Sequence, residues 1–218
     1  MTVMTNIVVL ISGSGTNLQA LIDAQEKGVL HANIAAVISN RPGAFGLERA
    51  RLAGIPTEVI DHTGFESREH FDQALQERID AYQPTLVVLA GFMRILTEGF
   101  TRHFLGRMLN IHPSLLPKYQ GLHTHQRAIE AGDSEHGVTV HFVTPELDGG
   151  PNAIQAIVPI LPDDTADSLA RRVQAQEHII YPLAVSWFAE GRLRMDNDTC
   201  VLDGKVLPGS GYLLDTRP

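Results

Sequence analysis

Disulfides are the first device this sequence lacks. Its single cysteine, Cys200, has no partner, so no internal staple shapes the fold and no redox compartment is encoded. Long apolar runs are also missing. The opening stretch MTVMTNIVVLISGSG has no basic lead and too few consecutive apolar residues for a signal peptide or a membrane span, so the expected location is cytoplasmic. Basic charge is scarce: 17 Lys and Arg face 25 Asp and Glu, a formal net charge of -8. That excludes a bulk nucleic-acid or anionic-membrane binder but leaves room for one local phosphate site. No internal repeat, low-complexity tract or shift in composition marks a linker. What is present is 44% hydrophobic and 19% charged residues in a chain of 218, enough for one large domain with a real core.

Strand and helix signals then alternate. The β-branched run 6–11 ends in a glycine turn, and Leu18, Leu21 and Ile22 follow at helical spacing. Strands are expected at 34–39, 57–60, 86–90 and 108–112, with helices at 44–53, 67–82 and 97–104. The apolar run 86–90 is the mark of a strand buried on both faces. After 112 the grammar changes: 137–143 and 153–160 alternate apolar and polar and read as antiparallel edge strands. A long helix covers 165–191, with a kink expected at Pro182. Asp203-Gly204 sits between two short apolar runs, a hairpin signal. The pattern implies an α/β fold: a single doubly wound, mainly parallel sheet with antiparallel edge strands and helices on both faces.

Four motifs carry chemistry. Around Gly13, Gly15, Thr16 and Asn17 the turn resembles an anion site at a helix start. It lacks the lysine of a Walker loop. Leu18 stands where a dinucleotide fingerprint needs its third glycine, and Ser39-Asn40 replaces the acid expected after the second strand. A monophosphate ester therefore fits better than NAD. In the second motif, Asn110 and His112 alternate around Ile111 at a strand end and so share a face, and Asp148 arrives from a turn-rich segment. A carboxamide can stabilise a developing oxyanion, an imidazole can carry a proton, and a carboxylate can orient it. Taken singly, each also reads as a cap, a structural histidine and a turn residue. Third, His123, His125, His136 and His141 match no common zinc spacing, so no metal is expected; His123 is a candidate neighbour of Asp148. Fourth, Gln174 and Glu177 lie one helical turn apart. Arg68 and Arg94 are lone cations that suit an anionic ligand or plain surface charge. Cys200 has no reactive context.

The segments NIVVLISGSGTNLQALIDA, VVLAGFMRIL, MLNIHPSLLPKYQG, GVTVHFVTPELDGGP and RVQAQEHIIYPLAVSWFAEGRL, taken together, resemble the phosphoribosylglycinamide formyltransferase family over essentially the whole chain. The resemblance implies a formyltransferase fold and an enzyme of de novo purine biosynthesis. Such an enzyme moves a formyl group from the co-substrate 10-formyltetrahydrofolate to the amine of glycinamide ribonucleotide, without a metal. It implies a single domain over 1–218, with a phosphate-binding half to about 105 and a folate and catalytic half from about 106. By the same resemblance Asn110, His112 and Asp148 are catalytic. Gly15, Thr16, Asn17, Gln174 and Glu177 hold the substrate. Arg68, Met93, Arg94, Ile95, Leu96 and Asn110 face the folate. Partners are small molecules rather than nucleic acid or membrane, and the expected state is a monomer or weak homodimer. Gln120 departs from the proline many members carry, and the tail after Asn197 matches only loosely. A deformylase would need an extra regulatory domain before the first strand, and the tRNA formyltransferase an RNA-binding barrel at the other end.

Overall fold

The computed structural model describes residues 4–217. The chain divides into two compact units, Met1–Asn110 and Ile111–Pro218.

The first unit is built from β1 (Thr5–Ile11), α1 (Thr16–Glu26), β2 (Ala32–Ser39), α2 (Gly46–Leu52), β3 (Thr57–Val59), α3 (Arg68–Asp80), β4 (Leu86–Leu89), α4 (Glu98–His103) and the start of β5 (Met108–His112). Its strands lie in the order β5-β4-β1-β2-β3, all parallel. Residues 7–11 of β1 and 86–88 of β4 are fully buried, as strands covered on both faces must be. Each such side chain contributes roughly 1.5–3 kcal/mol relative to exposure. The α3 helix starts on Ser67, whose hydroxyl accepts from His70 N at 3.2 Å, and it buries Phe71, Leu75 and Ile79. The chain runs outward through β1, β2 and β3, then returns to place β4 on the other side of β1. Ligands of open α/β sheets bind at such a reversal, beyond the carboxyl ends of the strands. The segments leaving β1 and β4 both emerge there.

The second unit holds α5 (Thr124–Glu130), β6 (Glu135–Phe142), β7 (Asn152–Pro159), α6 (Ala166–Ala189), β8 (Leu193–Asp196), β9 (Thr199–Leu202), β10 (Lys205–Val206) and β11 (Tyr212–Asp215). The pair β6 and β7 is antiparallel, as expected. At Gly137 an added Cβ would lie 2.0 Å from Ala156 O, so only glycine lets the two strands approach. The α/β class therefore holds, with one correction at the margin. β7 is not an edge, because β11 pairs along it in parallel. Tyr212 and Leu213 are exposed apolar residues in a four-residue strand, which is too short to show a period.

Helix α6 opens on a reciprocal capping box between Thr165 and Ser168. Arg172 Nη1 donates to Asp164 Oδ1 at 2.8 Å, and the Arg172 contact holds the Asp164 carboxyl well below the usual range. The helix continues through Pro182 to Ala189. The predicted hairpin forms as β9 and β10, and β8 joins it. Cys200 is buried there, 2% exposed, and burial pushes its thiol up to about 12.

Candidate active site

In the first unit the turn after β1 begins α1 at Gly15, whose φ of 73° lies in the left-handed region. A Cβ there would sit 2.6 Å from Gly46 Cα, so glycine is required twice over. Thr16 and Asn17 open the helix, and no side chain caps it. The segment after β4 runs through Met93, Arg94, Ile95 and Leu96 outside any helix or strand, with Met93 and Ile95 59% and 62% exposed. Backbone outside a ladder beside exposed apolar side chains suits a flat heteroaromatic ligand. The two segments are tied together. Met93 N donates to Ser12 Oγ at 2.8 Å, and Ser12 Oγ donates to Asn40 Oδ1 at 2.5 Å. Asn40 is thus buried in a structural relay, in the position where a dinucleotide site would present an acid. The Arg94 guanidinium stands over the Phe71 ring, 5.4 Å from its centroid. Arg68 opens α3 and is exposed.

Asn110 and His112 lie two residues apart on β5, with Asn110 partly exposed and His112 7% exposed. Within the second unit His112 Nδ1 is 3.6 Å from Asp148 Oδ2, and both side chains are 8% exposed. That is ion-pair distance, too long for a hydrogen bond. The other ring nitrogen is committed: His112 Nε2 donates to Tyr119 O at 2.8 Å, since a carbonyl only accepts. Nδ1 is therefore the ring nitrogen turned toward Asp148.

Asp148 sits at φ 50°, a strained conformation for a residue with a side chain. Its carboxylate accepts from Gly121 N at 3.0 Å. The turn that aims it is closely packed, since a Cβ on Gly150 would fall 1.8 Å from Phe142 O. Facing Asp148 from the other side is His141 rather than His123. His141 Nε2 lies 4.0 Å from Asp148 Oδ1, whereas His123 is an exposed residue ahead of α5. Full burial pushes the His141 imidazole down from its ordinary value. His125 and His136 meet edge to face with centroids 5.1 Å apart, and burial pushes His136 down to about 4.

The sequence reading missed the loop 119–123. Three of its five residues, Tyr119, Gly121 and His123, have positive φ, and its backbone contacts both His112 and Asp148. Only Gly121 hinted at it. Gln174 and Glu177 lie on α6, as their spacing suggested. Among the described residues no group of three or more His, Cys, Asp or Glu is arranged to hold a metal, and no helix is long and apolar enough to cross a membrane.

Comparison with known proteins places the chain in a class. The formyl transferase profile matches residues 5–185, and the chain belongs to the formyl transferase family. Relatives make the likeness narrower. It is 58% identical to the phosphoribosylglycinamide formyltransferase of Escherichia coli and 54% identical to that of Haemophilus influenzae, each over 96% of this chain and 99% of the relative. Among solved structures, the phosphoribosylglycinamide formyltransferase of Coxiella burnetii superposes with a TM-score of 0.93 at 58% identity, covering 96% of this chain and 99% of that one.

Proposed function

We propose that this chain is a phosphoribosylglycinamide formyltransferase. It transfers the formyl group of 10-formyltetrahydrofolate to the amine of 5'-phosphoribosylglycinamide, giving 5'-phosphoribosyl-N-formylglycinamide and tetrahydrofolate in de novo purine biosynthesis. The observation that carries this is the end-to-end likeness to relatives of that name, at 58% identity.

The residues then take the following roles. Gly15, Thr16 and Asn17 receive the phosphate at the start of α1, with Gln174 and Glu177 on the phosphoribosyl part. Met93, Arg94, Ile95 and Leu96 receive the pterin of the folate, and Arg68 and Arg94 serve its anionic end. When bound, the formyl folate supplies the electrophilic carbon. Asn110 and protonated His112 stabilise the oxygen on which negative charge develops. Asp148 holds the His112 ring and a water that carries the proton leaving the amine to the folate nitrogen, as the bond from that nitrogen to the formyl carbon breaks. Loss of one oxyanion donor costs about a hundredfold or more in rate, general acid-base help is worth a similar factor, and holding two substrates together supplies the other large part. The whole of 1–218 works as one formyltransferase domain, in the cytoplasm, on small molecules, as a monomer or weak homodimer. An acidic chain with no basic run suits that and does not suit RNA.

The test is a spectrophotometric assay with 10-formyl folate and glycinamide ribonucleotide. Folate product should appear only when both are present. Binding of either one without formyl transfer would overturn the assignment and leave a phosphate-binding module.

A further inference from the structure

We infer that Arg127 and Gln120 are positioning residues that clamp the loop 119–122 in the one shape able to hold His112 and Asp148 together. The inference rests on the roles proposed above for His112 and Asp148.

The loop reaches both groups through its backbone. Tyr119 O takes the His112 Nε2 proton, and Gly121 N–H donates to the Asp148 carboxylate. A side chain cannot be retuned to replace either contact; only the path of the chain sets them. That path is strained, with Tyr119 at φ 53° and His123 at φ 57°, so something must hold it.

Arg127, in the last turn of the short helix α5, makes three attachments to this short stretch. Its Nη1 donates to Gln120 O at 2.6 Å and to Leu122 O at 3.2 Å, and its guanidinium stands 5.2 Å from the centroid of the Tyr119 ring. Gln120 completes the link, because its Nε2 donates to Asp148 O at 3.4 Å. One guanidinium nitrogen reaches both carbonyls while the guanidinium carbon stands by the Tyr119 ring; lysine ends one atom short of that nitrogen and has no planar group to set beside the ring. Gln120 takes part through its side-chain amide, which alanine lacks. None of these atoms touches a reacting group, so the effect on chemistry passes through the orientation of His112.

The experiment compares wild-type protein with Arg127→Ala, Arg127→Lys and Gln120→Ala, following the ring 15N resonances of His112 alongside steady-state kinetics. In Arg127→Ala the Nε2 resonance should move toward that of a free imidazole. The pH-rate profile should shift, and kcat should fall about tenfold while both KM values stay within about twofold. Arg127→Lys should behave like Arg127→Ala, and Gln120→Ala should show a smaller change in the same direction. Unmoved His112 resonances in the Ala variant would overturn the clamp, as would full rescue by lysine. Should Arg127→Ala fail to fold, Gln120→Ala and Arg127→Lys decide by the same readouts. A shifted resonance with unchanged turnover would instead sink the catalytic assignment of His112 and leave the clamp standing.

Discussion

In the first unit, β1 and β4 bury continuous runs of isoleucine, valine and leucine; the buried polar side chains Ser12, Ser39 and Asn40 sit at strand ends, and Asp72 and Thr101 lie in α3 and α4. In the second, β6 and β7 bury His136, Thr139, His141 and Gln155 in the strands themselves. Two of them, Thr139 and Gln155, are joined to the loop after β5. Thr139 Oγ1 donates to Ser114 O at 2.7 Å and accepts from Leu116 N at 3.1 Å, and Gln155 Nε2 donates to Leu116 O at 2.8 Å. One unit is held by volume and offers its strand ends to ligand. The other gives up apolar core to fix a loop, and that loop carries the strained residues. A buried polar network is stabilising only while every member is satisfied.

That contrast can be broken from either side. Leu10→Ala, near the carboxyl end of β1, should cost about 3 kcal/mol of unfolding free energy by denaturant titration, with a cavity left among fully buried neighbours. A loss under 1 kcal/mol would mean the first unit is not volume-limited. Asp148→Asn should leave the denaturation midpoint nearly unchanged yet lower kcat about a hundredfold, equivalent to about 2.7 kcal/mol of barrier. Near-normal turnover in that folded variant removes Asp148 from the chemistry. Gln155→Leu keeps the volume but deprives the Leu116 carbonyl of its closest donor, and should destabilise by about 2 kcal/mol. An equally stable or more stable variant would show the second unit to be an ordinary apolar core.

The remaining effect concerns pH. Burial lowers the His136 ring from 6.5 to about 4 in the folded protein, so the unfolded chain binds the extra proton first. The contribution of a neutral His136 is intact above pH 6.5 and is lost as pH falls from there toward 4. In His136→Gln, the stability lost over that window should shrink in matched denaturation curves; identical curves would show that His136 is not the group responsible.

What was legible follows the same division. Runs such as 7–11 and 86–88 announce buried strands because the constraint is local and repeats along the chain. The caps of α3 and α6, the glycine start of α1 and the β9–β10 hairpin were legible for the same reason. Helix α5, of seven residues, gave no period, and β11 pairs through backbone groups that leave no mark on side-chain order. In the candidate site, His112 and Asp148 stood out by residue type, and 3.6 Å separates them. The contribution of Tyr119 and Gly121 is made by a carbonyl and an amide, which every residue possesses, so nothing in their identities reveals it. His141 was one histidine among four until burial and distance singled it out.

Cys200 gives the second unit a built-in clock. It is the chain's sole thiol, sealed within β9 and held protonated by its surroundings. A maleimide or disulfide dye therefore has one target, and meets it only when the strand opens. Labelling kinetics on the unaltered chain read the rate and free energy of that local opening directly, with no reporter to engineer and no second reactive position to subtract.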